Sequence, residues 1–275
     1  MKTRVITAVV GIPLIFYAVL FAPIYVMGTL MGAICAIAVW EFMHCVYPAT
    51  RVYVAVWPML VAFIMPFWLS VRGQDASLYT LGYWLFFALS VCMIASFRTG
   101  ERMNLSEMLA GLTSGMILPI FLTSLIRIGL REDVGRVNML LPFLIAFSCD
   151  SGAYFTGCAF GKHKMAPHLS PNKTVEGAVG GMAWAVGFSL LYGVLLRFAG
   201  WQVNYLRLLL YALLGGVACE LGDLSFSAVK RLCGQKDYGR IIPGHGGVLD
   251  RFDSMYFTAP MVEILTFWFP ALTRF

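Results

Sequence analysis

Charge is what this sequence has least of. Only 12% of its 275 residues are Asp, Glu, Lys or Arg, about half the ~25% typical of soluble domains. No polar stretch is long enough to form a soluble domain of its own, and no internal repeat is visible. None of the seven cysteines stands in a C-x-x-C pair, which argues against a zinc site or a disulfide framework and leaves apolar packing as their role. A Walker A loop is also missing. Gly157, Gly161 and Lys162 come nearest, but their spacing is one residue short and His163 follows where Ser or Thr is required. The basic residues lie scattered in short segments, which speaks against nucleic acid as a partner.

What the chain does have is apolar length. It is 60% hydrophobic with a mean hydropathy of +0.79. Crossing a bilayer takes roughly 20 apolar residues, and the chain supplies about nine such runs by that rule. They are Val5–Phe21, Ile24–Phe42, Val52–Val71, Leu78–Phe97, Leu105–Ile126, Asn138–Phe160, Val175–Phe198, Tyr205–Ser227 and Phe252–Phe269. The expected fold is therefore all-α, a polytopic helical bundle in the membrane. One membrane domain is expected, with N-terminal helices over 1–137 and C-terminal helices with the polar motif loops over 138–275. Lys2 and Arg4 precede the first run as in a signal peptide. Pro13 interrupts it and no small-x-small cleavage site follows, so it reads as an uncleaved span.

Lys/Arg distribution orients the chain. With the N-terminus in the cytoplasm, thirteen of the twenty Lys and Arg fall on the inner side, including the cluster at Lys230, Arg231, Lys236, Arg240 and Arg251. The net charge of +6 suits contact with anionic lipid headgroups.

Three places carry polar chemistry. Asp150 is a carboxylate inside an apolar run, where such a group normally faces a partner or water. Its role is either functional or a hydrogen bond that holds the bundle. Around Ser170, the sequence S-P-N-K-T-V-E-G places Ser-Pro as a helix cap and first turn. That makes it either a phosphate-attracting helix start assisted by Lys173 and Thr174 or an ordinary cap with a snorkelling lysine. The third place is Ser227–Asp253 with the helix before it. Glu220 and Asp223 are three apart and share a helix face; Asp250 and Asp253 repeat that spacing at the start of the last run. Helices flanking one short connection would bring these carboxylates together. A hard divalent cation such as Mg²⁺ resolves the repulsion. The lysines between them suit polyphosphate, and the H-G-G turn at His245, Gly246 and Gly247 allows close backbone approach. Phosphoryl or nucleotidyl transfer follows naturally.

The run from Ser227 resembles the signature of the phosphatidate cytidylyltransferases (CDP-diacylglycerol synthases). Ser227, Lys230, Arg231, Lys236, Asp237, Gly239, Pro243, His245, Gly246, Gly247, Asp250, Arg251 and Asp253 all match at fixed spacing. D-S-G-A-Y at Asp150, F-G-K at Phe160, S-P-x-K-T-x-E-G at Ser170 and G-D-L-x-x-S at Gly222 add to it. The resemblance implies that CTP and phosphatidic acid react to give CDP-diacylglycerol and pyrophosphate, as the phosphatidate oxygen attacks the α-phosphorus of CTP. It implies Asp223 and Asp250 as ligands of Mg²⁺, with a monovalent ion such as K⁺ at a second position, and Glu220 and Asp253 as additional ligands. Lys236 joins the aspartates as a catalytic residue. Lys162, Ser170, Lys173, Thr174, Lys230, Arg231, His245, Gly246, Gly247 and Arg251 would bind substrate. The family likeness also implies a homodimer in the bacterial inner membrane with its site facing the cytoplasm. Competing readings are another CTP-dependent lipid enzyme or a cation-coupled transporter. A CDP-alcohol phosphotransferase is excluded by the missing D-x-x-D-G-x-x-A-R element.

Overall fold

Apolar runs of this length have no water to satisfy their backbone, so each closes its hydrogen bonds locally as helix. A computed structural model describes residues 15–73, 77–99, 103–132, 134–241 and 246–274. The expected first span and the motif residues Pro243 and His245 fall wholly or mainly outside them. Among the described residues, six helices are long and apolar enough to cross a membrane, and the chain is an all-α polytopic membrane protein. Its residues divide into two units.

The first unit takes the described residues of Met1–Ile126 and Val229–Phe252. It contains α1 (Ile24–Val46), α2 (Val52–Arg72), α3 (Ser77–Thr99) and α4 (Leu105–Leu122). Small residues let these helices approach closely. Gly28 and Gly32 of α1 sit against the α2 backbone at Pro66 and Phe63. Gly111 and Gly115 of α4 sit against Pro58 of α2 and against Leu89 and Leu85 of α3. Both G-x-x-x-G stripes thus pack helices within the chain. Asn104 caps α4 by accepting from the Ser106 N–H. The short helix α5 (Ser124–Gly129) crosses into the second unit.

The second unit takes Arg127–Ala228 and Asp253–Phe275. It contains α6 (Gly135–Phe160), β1 (Lys164–Ala166), β2 (Ser170–Thr174), α7 (Val175–Phe198), β3 (Trp201–Val203) and most of α8 (Tyr205–Leu232). After the four-residue α9 (Leu249–Phe252) of the first unit come α10 (Met255–Trp268) and β4 (Leu272–Arg274). Here α6 packs along α7, with Gly152 against Trp184, Gly180 against Thr156 and Gly181 against Cys149. Arg127 clamps Glu263 with two hydrogen bonds of 2.5 and 2.7 Å, and Arg131 donates to the Thr266 carbonyl. Two antiparallel strand pairs, β1–β2 and β3–β4, sit outside the helices in sequence.

Two expectations are corrected. Ser170 does not cap a helix. Residues Ser170–Thr174 pair with Lys164–Ala166 as a strand, and Thr174 is the cap, its hydroxyl accepting from the Gly177 N–H at 3.1 Å. The last span does not start at Phe252 with Asp250 and Asp253 on one helix face. Asp250 lies in α9, Asp253 lies in the turn after it, and the helix resumes at Met255. The Asp253 carboxylate accepts from its neighbour's N–H, Ser254, at 2.7 Å, which favours a turn over continued helix. Residues Val229–Phe252 fall in the first unit.

Candidate functional site

In the second unit, the hairpin β1–β2 delivers Lys173 to the face of α8 that carries Glu220 and Asp223. The lysine ammonium lies 2.5 Å from Glu220 Oε2 and 2.7 Å from Asp223 Oδ2. The three-residue spacing on a helix face thus does what it was expected to do. Asp223 Oδ1 also accepts from the Ser227 hydroxyl at 3.2 Å. Burial by itself would lower the Lys173 pKa, but the carboxylates of Asp223 and Glu220 outweigh it and hold the ammonium above the ordinary lysine range. Lys173 is therefore a fixed cation at neutral pH.

Asp150 of α6 belongs to the same unit. Its Oδ1 accepts from Cys219 Sγ at 3.4 Å and from the Ser254 hydroxyl at 3.3 Å. Lys162 and His163 donate their backbone N–H groups to Glu176, the second residue of α7, and the His163 ring pairs with the same carboxylate at 2.5 Å. Glu176 therefore closes the F-G-K segment onto the helix start, and the Lys162 side chain stays exposed.

In the first unit, Asp250 is a buried carboxylate that binds the backbone of the loop before it. Its Oδ1 accepts from Lys230 Nζ at 2.7 Å. Its Oδ2 accepts from the Tyr238 and Gly247 N–H groups at 2.9 and 3.0 Å. Lys230 and Asp250 side chains are 10% and 4% exposed, and the ammonium also lies 5.3 Å from the Tyr238 ring centroid. Lys230, expected to bind substrate, is thus engaged inside the protein. Gly246 adopts φ 86 at this turn, a left-handed conformation that favours glycine. Lys236, Arg231 and Arg251 are exposed.

Glu41 of α1 was not singled out by sequence, although the criterion that picked Asp150, a carboxylate inside an apolar run, applies to it equally. It is 2% exposed and accepts from the Val248 and Leu249 N–H groups at 3.0 and 2.8 Å.

Among the described residues no three His, Cys, Asp or Glu side chains gather at metal-binding separation. The carboxylates stand as the pair Glu220 and Asp223 in one unit and as Asp250 in the other. The pair is a hard oxygen donor set already gathered around one positive charge, which fits a cation such as Mg²⁺. Asp250 has both oxygens committed to N–H donors.

The chain matches the model of the cytidylyltransferase family over residues 2–269. It is 44% identical over 135 residues to a phosphatidate cytidylyltransferase of Staphylococcus haemolyticus, covering 49% of this chain and 50% of that protein. It is 40% identical over 157 residues to one of Bacillus subtilis, covering 57% and 56%. A Staphylococcus aureus protein of the same name is 45% identical over 133 residues, covering 48% and 49%. The chain spans about half the length of the curated relatives it matches.

Proposed function

The chain belongs to the cytidylyltransferase family, and from that premise we propose that it makes CDP-diacylglycerol from CTP and phosphatidic acid, releasing pyrophosphate. The observation that carries this is the family match along nearly the whole chain. Relatives named phosphatidate cytidylyltransferase narrow the acceptor to phosphatidate. In the proposed reaction a phosphate oxygen of phosphatidate forms a bond to the α-phosphorus of CTP. The bond from that phosphorus to the bridging oxygen breaks, and pyrophosphate takes the electron pair. Phosphatidate is already an anion, so no general base is required, and catalysis reduces to positioning and charge neutralisation.

Glu220 and Asp223 are the proposed holders of Mg²⁺, and Asp250 is a further candidate whose Oδ1 would exchange Lys230 for the cation. When bound, the metal offsets negative charge on the reacting phosphates. Lys173 holds Glu220 and Asp223 in place and supplies a permanent positive charge beside them. Exposed Lys236, Arg231 and Arg251 offer donors to polyphosphate. A K⁺ ion at a second position, a cytoplasmic site in an inner membrane and a homodimer are parts of the same proposal.

The test is pyrophosphate release by purified protein from CTP, with phosphatidate as acceptor, in the presence of Mg²⁺. Release that depends on both substrates is the expected result. Release with a polyprenol or an ether lipid in place of phosphatidate would assign another acceptor. Mg²⁺ binding with no CDP-lipid formed from any acceptor would overturn the proposal.

A further inference from the structure

A buried carboxylate in an apolar helix is costly and is retained where it does something specific. Glu41 is such a group, near the C-terminal end of α1. Its two acceptor bonds go to Val248 and Leu249, the residues just before Asp250. The loop also closes around it from the other side. A Cβ at Gly247 would stand 2.5 Å from Glu41 Oε2, and one at Gly239 would fall on Oε1. Both motif glycines therefore leave room for this one carboxylate. The next residue, Phe42, stacks on Tyr238 with ring centroids 6.2 Å apart, and Tyr238 in turn gives its N–H to Asp250 Oδ2. Residues 41 and 42 thus contact both Tyr238–Gly239 and Gly247–Leu249, the two described parts of the loop that precedes Asp250, across about two hundred residues of sequence.

We propose that Glu41 is a positioning residue: its carboxylate fixes the loop at Gly239 and Gly247–Leu249 so that Asp250 and the basic residues beside it take their reactive placement. This rests on the function proposed above. The Val248 and Leu249 N–H groups are aimed at separate oxygens of Glu41. Glu41→Gln keeps the size of the side chain but turns an NH₂ group toward one of those donors, whereas Glu41→Asp keeps both acceptors on a shorter stem.

The experiment uses the full chain in lipid nanodiscs, with turnover and peptide-level hydrogen exchange read on the same samples. For Glu41→Gln, turnover at saturating substrate should fall on the order of 10²-fold, as expected when reacting groups are misplaced by about an ångström. Exchange should rise in peptides covering 246–252 and stay unchanged in α2 and α4. Glu41→Asp should regain part of the turnover and part of the protection. Gly247→Ala should damage the wild type but do less further harm in a Glu41→Ala background, where the added methyl has space. Wild-type turnover in Glu41→Gln, or unchanged exchange at 246–252, would overturn the inference. So would uniform loss of protection in all helices of both Glu41 variants, which marks a general folding role. If the wild type makes no CDP-lipid, the proposed function fails, and the exchange pattern alone then decides whether Glu41 holds the loop.

Discussion

Removing Lys230 while leaving Asp250 tests how the motif loop is held. In Lys230→Met the Asp250 carboxylate keeps the Tyr238 and Gly247 N–H groups but loses the ammonium at 2.7 Å. That carboxylate is only 4% exposed, so water replaces the lost partner poorly. Stripping one member from a buried ion pair costs about 3–5 kcal/mol, and the lost contact with the Tyr238 ring adds roughly 0.5–2 kcal/mol. Asp250→Asn fails from the other side. Its single amide oxygen is needed by two backbone donors, so its NH₂ group meets the Lys230 ammonium. The double variant Lys230→Met/Asp250→Asn removes both charges and keeps the oxygen for the backbone. It should be more stable than either single variant. The expected coupling lies at the upper end of the roughly 0.5–3 kcal/mol seen for contacting residues. Denaturant-induced unfolding in one fixed micelle system measures the cycle, with turnover assayed separately. Additive single effects, or a Lys230→Met cost of ~1 kcal/mol or less as at exposed pairs, would refute the reasoning. An inactive Asp250→Asn protein therefore does not by itself identify a metal ligand, because the same change sets an NH₂ group against the Lys230 ammonium.

Asp223→Asn is the cleaner probe of the metal assignment. Asp223 is more accessible, and Lys173 retains Glu220 as a partner. Turnover should be nearly abolished with the unfolding midpoint held, and near-normal activity would remove Asp223 from the site. Lys236→Ala should raise the concentration of CTP or phosphatidate needed for half-maximal rate without shifting the unfolding midpoint, since the side chain is exposed. An unchanged dependence on both substrates would take Lys236 out of the site.

What was legible in the sequence was what depends on neighbours along the chain. Val175–Phe198 emerges as a helix with the bounds its apolar run predicts. Glu220 and Asp223 meet one cation because three-residue spacing in a helix leaves little choice. What stayed hidden depends on distant partners or on single turns. Ser-Pro at 170–171 is a sound local cap signal, yet pairing with Lys164–Ala166 draws the segment into a strand and passes the cap to Thr174. Strand β3 finds β4 some seventy residues later, beyond any periodicity.

Asp250 and Asp253 show why a spacing is weaker than it looks. Three residues apart is a helix face only if the helix runs through, and here the Asp253 side chain takes the Ser254 N–H that such a helix would give to the Asp250 carbonyl. The lysines likewise divide into two chemical kinds. Lys230 and Lys173 are spent on carboxylates within the protein, while Lys236 points to solvent. A lysine already paired with an aspartate neutralises the site before substrate arrives, and only one that is not so engaged adds net attraction for a triphosphate. The motif therefore reads as a scaffold of internal ion pairs that presents a smaller set of exposed cations. Glu41 extends that scaffold into the N-terminal helices, which ties the backbone just before Asp250 to a residue far outside the motif.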